Sequence, residues 1–278
     1  MAGLQRVPAD YVASFPVAEF SLHEQRKIAD FLDVQVGATG SLIATRERQI
    51  RLIQERWDAV LDSAMSPLGA PKMPVRHLLR EVAVGIVIQP AALYVTTGGV
   101  RALRGVDVRP WSIGDESEMV QISRAGHAAN PRSTLRDNDV VIVRTGLAGA
   151  AARVPSSLVG SNSIDVVIAR PAARLHPDYL VYFLNSRSGR DGVTGQASGS
   201  IQKHFGVEHL KRLTIAIRTR VEQESLIADL EIARVGHGAA VAALTSSIRL
   251  LEERKQALIT AAVTGQFDVA TARKVSMT

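Results

Sequence analysis

Two stretches of the chain carry their apolar residues at helical spacing, and residues 67–218 between them do not. In the first stretch Ile43, Ile50, Trp57 and Ala64 recur every seven residues, with Ile53 and Val60 on the neighbouring seam. In the second, Val241, Ile248 and Ala262 take one seam while Leu244, Leu251 and Leu258 take the other. Such heptads lay an apolar stripe along a helix that another helix must cover. Arg46 and Lys255 interrupt the stripes. Each stretch opens on a capping box, Ser21 with Glu24 and Thr219 with Glu222, in which the hydroxyl and the carboxylate each satisfy a backbone amide of the first turn. Gly265 marks the end of the second helix, where left-handed backbone is cheap for glycine. If continuous, each helix would run about 45 residues and span on the order of 65 Å. Gly37 with Gly40, and Gly236 with Gly238, each cost about 1 kcal/mol against alanine and predict a kink or break in the first third of each helix.

The two stretches are copies of one another. EQRKIAD begins at Glu24 and EQESLIAD at Glu222, and IRLIQERWDA begins at Ile50 and IRLLEERKQA at Ile248, an offset of 198. The register slips to 199 around Ala29 and Ala228, where Gly37 falls on Gly236, and then returns. Two like helices with like seams are expected to pair, as an antiparallel or an intermolecular coiled coil.

The intervening segment alternates short Val/Ile runs with turn residues. Val82–Ile88, Asp139–Val143, Ile164–Ile168 and Leu213–Ile217 read as strands, after a linker holding Pro67, Gly69, Pro71 and Pro74. Gly98-Gly99 and Asp137-Asn138 punctuate them, and Thr145-Gly146 reads as a tight turn. Short helices are predicted at Pro177–Asn185 and Val207–Arg212. The expected fold is α+β: one mixed domain with a twisted sheet, flanked by two long coiled-coil-forming helices.

Charge changes the picture. Within residues 67–218, 19 lysines and arginines stand against 11 carboxylates, a net +8, although the whole chain carries only +6. A basic segment between near-neutral ones suits a polyanion-binding module. The absence of cysteine excludes a disulfide framework and a thiolate metal site. Residues 1–10 lack the pattern of a signal peptide, and no run approaches the roughly 18 apolar residues of a membrane helix, so a cytoplasmic protein is expected.

The stretches EQRKIADFLD, IRLIQERWDA and LEERKQALITAAVTGQFDV resemble the conserved helical regions of type I restriction-modification specificity subunits. GGVRALRGVDV (98–108), LRDNDVVIVRTGLAGAAARVP (135–155), HPDYLVYFLNS (176–186) and ASGSIQKHFGVEHLKRLTIAI (197–217) resemble that family's target-recognition domain. A full-length member carries two recognition domains, and this chain carries one. The resemblance divides the chain into a remnant tail of a missing first domain (1–20), helix 1 (21–66), the recognition domain (67–218), helix 2 (219–266) and a C-terminal tail (267–278). It implies a non-catalytic subunit that reads half of a split DNA target, with the helices as a ruler. Methyltransferase subunits using S-adenosylmethionine and a motor-nuclease subunit using ATP and Mg would be its partners, with no cofactor bound by the chain itself. A half-subunit of this kind is expected to self-associate. The alternative is a truncated remnant that binds methyltransferase without reading DNA.

The motifs agree with that division of labour. No (Asp/Asn)-Pro-Pro-(Tyr/Phe) loop, Gly-rich cofactor loop or nucleotide-binding phosphate loop occurs, and the seven histidines lack metal-ligand spacing. Base reading needs arginine for guanine and Asn or Gln for adenine, with cations for phosphates. Candidates are Arg101, Arg104, Arg124 and Arg132, and the group Ser200, Gln202, Lys203 and His204 beside a glycine loop.

Overall fold

The computed structural model describes residues 8, 10–11, 18–194, 205–267 and 269. In chain order its elements are α1 (Leu22–Met65), β1 (Lys72–Pro74), β2 (Leu79–Val84), β3 (Tyr94–Val95), β4 (Val100–Arg104), β5 (Val108–Arg109) and β6 (Ser112–Ile113). Next come β7 (Gln121–Ile122), α2 (Arg124–Ala129), β8 (Val140–Val143), β9 (Ala151–Arg153), β10 (Asn162–Ile164) and β11 (Val166–Pro171). The chain continues through α3 (Pro177–Asn185), α4 (Arg187–Thr194), α5 (Val207–Arg212) and β12 (Thr214–Ala216) to α6 (Arg220–Val263). The architecture is α+β, with a mixed sheet-bearing domain between two long helices. Two compact units divide it, Glu55–Val235 and the remainder, Met1–Gln54 with Gly236–Thr278.

In the globular unit, one four-stranded sheet runs β2-β11-β8-β9, antiparallel throughout, and a second runs β10-β4-β7-β3. The runs Val140–Val143 and Val166–Pro171 are buried along their whole length, as central strands covered on both faces must be. Helix α3 lies over this sheet, with Tyr179, Leu180, Phe183 and Leu184 among the most buried side chains of the chain. The predicted linker is partly structured: Lys72–Pro74 pairs with Thr214–Ala216. The predicted strand Val82–Ile88 stops at Val84. A side chain on Gly85 would meet the Ser163 backbone at 2.8 Å, so glycine alone allows the two segments to cross there.

The last turns of α1 belong to this core. Trp57, Leu61 and Met65 are buried in it, and Trp57 meets Trp111 edge-on at 6.0 Å. Val60, expected on a helical seam, is instead 43% exposed, because Trp57 and Leu61, four apart, take the buried face. At the start of α6, Gln223, Leu226, Ile227 and Leu230 face the same core.

Both long helices are 44 residues and unbroken. The predicted break at the glycine pairs is absent: Gly37, Gly40, Gly236 and Gly238 hold helical backbone with open space around them. Glycine costs conformational entropy but keeps its amide, so the hydrogen-bond ladder survives where proline would cut it. Both capping boxes form, with Glu24 Oε2 accepting from the Ser21 amide at 2.9 Å and Glu222 Oε2 from the Thr219 amide at 2.7 Å. Gly265 takes φ +75° after the last turn of α6. Within the helical unit the Phe267 ring lies 5.7 Å from that of Phe31, so the end of α6 meets the start of α1. Ile43, Ile50 and Ile53 on one helix and Val241, Leu244, Ile248, Leu251 and Leu258 on the other are half-buried, as are Arg46 and Lys255. Among the described residues, no helix is long and apolar enough to cross a membrane.

Candidate nucleic-acid interface

The four described arginines of the sequence reading fall into two pairs. Arg101, on β4, lies 3.5 Å from Glu116 and is 48% exposed. Arg104, at the end of the same strand, is spent locally. Its guanidinium lies 3.2 Å from Asp107, whose other oxygen accepts from the Arg104 amide at 2.8 Å, and this pairing raises the arginine further above its ordinary pKa. Arg124 and Arg132 are exposed and have no ion-pair partner among the described residues. Ser200, Gln202, Lys203 and His204 lie outside the described residues.

Arg132 projects from a rigid base. Its carbonyl accepts from Arg170 Nη2 at 3.2 Å, and the same nitrogen reaches the Thr134 carbonyl at 3.0 Å. Next to it, buried Ser133 donates to Asn162 Oδ1, and its carbonyl accepts from the Ser163 hydroxyl at 2.9 Å. Arg170 is 2% exposed and is held by Asp139 at 3.2 Å and Glu81 at 2.6 Å. The backbone around Arg132 is thus fixed by buried polar bonds while its side chain stays in solvent.

Beside it a cleft of about 500 Å³ is lined by Val84 to Ile88, Leu93 and Ala129 to Ser133. Its lining holds one cation, Arg132, one amide, Asn130, and no carboxylate. Asn130 Nδ2 donates to the Gly126 carbonyl at 2.8 Å, closing α2.

Further cations follow that the sequence reading did not single out. Arg136 lies 3.2 Å from Glu81, whose carboxyl is held below its ordinary pKa chiefly by the hydrogen bond from Arg170. One residue before Glu81, Arg80 joins Asn138, Pro171, Leu175, Pro177 and Arg220 around a hollow of about 300 Å³. Arg153 reaches Asn138 at 2.8 Å and Asp178 at 3.0 Å beside this hollow. Among the described residues, no cluster of His, Asp or Glu could hold a metal ion.

The arrangement is a basic, partly apolar surface on the sheet-bearing unit, suited to contact a polyanion. The fold is similar to that of solved type I restriction-modification proteins, a specificity subunit among them. It is similar to a chain of a solved type I system, described for complex assembly and conformational transition, with a TM-score of 0.72 at 16% identity over 89% of this chain and 61% of that one. It is also similar to the crystal structure of the HsdS subunit from Thermoanaerobacter tengcongensis, with a TM-score of 0.57 at 17% identity over 96% of this chain and 65% of that one. The chain therefore spans less than two thirds of the length of either solved chain. No family model and no curated protein matches the sequence.

Proposed function

We propose that this chain is a non-catalytic, sequence-reading subunit of a type I restriction-modification complex, whose single recognition domain reads one half of a split DNA target. The likeness in fold to the solved HsdS subunit, over 96% of this chain, carries this reading. The net +8 of residues 67–218 and the unpaired cations Arg124 and Arg132 support it, because phosphate neutralisation supplies most of the affinity for DNA. The long helices act as a coiled-coil spacer and hold methyltransferase subunits, which supply adenine methylation from S-adenosylmethionine. A motor-nuclease subunit supplies ATP- and Mg-dependent restriction.

One recognition domain reads one half-site, so a second is needed. The internal repeat supports a second copy of this chain in that role. In the second repeat Gln223 is buried and holds the segment before α3. Its counterpart Gln25 is exposed, and leaves the equivalent surface for another recognition domain. A twofold pair would read inverted half-sites.

Co-expression with the methyltransferase of the same system, followed by mapping of methylated adenines, tests the reading. A split palindromic motif is expected. An asymmetric motif would replace self-pairing with a second specificity chain, and no methylation would mean a remnant that reads nothing. A strict monomer by light scattering, with methyltransferase present, would also remove the self-paired form.

A further inference from the structure

The loop that follows β2 presents apolar side chains to solvent from an unusually constrained backbone. Ile86 is buried at 7%, donates to the Ser163 carbonyl at 2.8 Å and accepts from the Asp165 amide at 3.1 Å. Gly85 before it donates to the Val166 carbonyl at 2.9 Å and can carry no side chain, since a Cβ would collide with the Ser163 backbone. The next two residues turn outward: Val87 is 51% exposed and Ile88 81%. Gln89 then takes φ 43° and ψ 48°, left-handed backbone that costs a non-glycine residue of order 1 kcal/mol, and Pro90 starts a short helix that fixes the exit.

Nothing in the fold needs Ile88 exposed; a polar residue at this tip would be easier to solvate. Strained backbone and exposed β-branched side chains held together by a pinned loop are features of contact sites. The surroundings decide which partner they suit. The loop lines the 500 Å³ cleft together with Asn130 and Arg132, and the lining holds one cation to attract phosphate and no acid. Glu81, the carboxylate that acts on Arg132 from outside the lining, is itself held by Arg170 and Arg136. Apolar side chains read the thymine methyl group or wedge against a base step, and an exposed amide such as that of Gln89 reads base edges.

We infer that Ile88 and Gln89 form a base-reading tip that sets part of the sequence preference, with Arg132 anchoring the adjoining phosphate. This rests on the DNA-reading function proposed above. The rigid attachment at Gly85 and Ile86 holds the tip in its reading conformation before DNA arrives, so little ordering entropy opposes contact. The effect is on discrimination between duplexes more than on affinity for all of them.

The test selects bound duplexes from a pool with a randomised region, using the full chain assembled with its methyltransferase subunits. The chains compared are wild type, Ile88→Ser and Ile88→Val. The position is 81% exposed, so Ile88→Ser should melt as the wild type does. It should keep affinity for unselected duplex within about twofold while its preference for the wild-type motif falls about tenfold, the usual scale of one lost base contact. Ile88→Val, which keeps the β-branch, should retain most of that preference. An Ile88→Ser chain that enriches the same motif with the same preference would overturn the inference and leave the proposed function standing. Equal loss of affinity for every duplex would overturn it too. A wild-type chain that enriches no motif would remove the reading function itself.

Discussion

Gln25 and Gln223, 198 residues apart, make the same bond: each side-chain amide donates to the carbonyl five residues before it, 2.9 Å away in both cases. The two then part company. Gln223, 3% exposed, also donates to the Arg174 carbonyl at 2.9 Å and accepts from the His176 amide at 2.7 Å, while Gln25 stands in solvent. The duplication therefore extends to side-chain chemistry, and among the described residues only the second copy's glutamine also holds a distant segment. Gln223→Ala takes the side-chain partner from the His176 amide and from the Arg174 and Arg218 carbonyls in a largely dry setting, which costs about 1–3 kcal/mol. Gln25→Ala should fall within about 0.5 kcal/mol of wild type, as exposed substitutions do. Urea unfolding of the two variants measures the difference; equal effects would break the asymmetry.

Stability should depend on pH through His176. Its Nδ1 accepts from the Asp178 amide at 3.1 Å at the start of α3, which requires that nitrogen unprotonated. Burial first, and then Arg220 and Arg153 against the opposing Asp178 and Glu224, hold its pKa below the usual value. A base with a depressed folded-state pKa contributes stability that is full above the unfolded value near 6.5. That contribution is lost on acidification through the window between the two values. His176→Asn keeps a capping oxygen and does not titrate. Between about pH 8 and 5 the wild type should lose urea resistance relative to that variant, and parallel profiles would refute the assignment.

Gly85→Ala should destabilise the globular unit by about 1–3 kcal/mol. The added methyl would sit 2.8 Å from the Ser163 carbonyl carbon and 2.9 Å from the Ile164 amide nitrogen, and neither belongs to a side chain that can turn away. Gly37→Ala is the control: it lies in open helix surface and should stabilise by up to about 1 kcal/mol. Thermal unfolding separates them, and a neutral Gly85→Ala would mean that the β2 to β10 crossing yields to a methyl group.

What could be read in advance divides along local and non-local lines. Ser21 and Glu24, or Thr219 and Glu222, sit three residues apart, so sequence alone contains both partners of each cap. The α3 segment, Pro177–Asn185, likewise carries its own start signal and apolar face. The stop at Gly85 depends on Ser163, 78 residues away, and the apolar run to Ile88 conceals it. Val60 kept heptad spacing, but burial near the end of α1 follows the globular core rather than the seam. Arg104 reads as a free cation in sequence, whereas in the fold Asp107 holds both its guanidinium and its amide. Arg80 and Arg220 were not singled out because only folding brings them to one hollow.

That last pair gives a quantitative expectation for DNA binding. Arg80 is exposed, and its Nε donates to the Pro171 carbonyl at 3.1 Å. Arg220 is paired with Glu224 at 2.8 Å, an exposed i,i+4 pair worth less than about 1 kcal/mol, which a phosphate could displace. If both guanidiniums meet the DNA backbone, each contact releases counterions and adds about 0.9 to the slope of log K against log salt. Arg80→Ala with Arg220→Ala should therefore flatten that slope by about 1 to 2 and weaken binding to all duplexes alike at low salt. The selected motif should stay unchanged, because phosphate contacts position the protein without reading bases. An unaltered slope would place the DNA backbone elsewhere on the domain. A changed motif with an unaltered slope would assign the hollow to base reading.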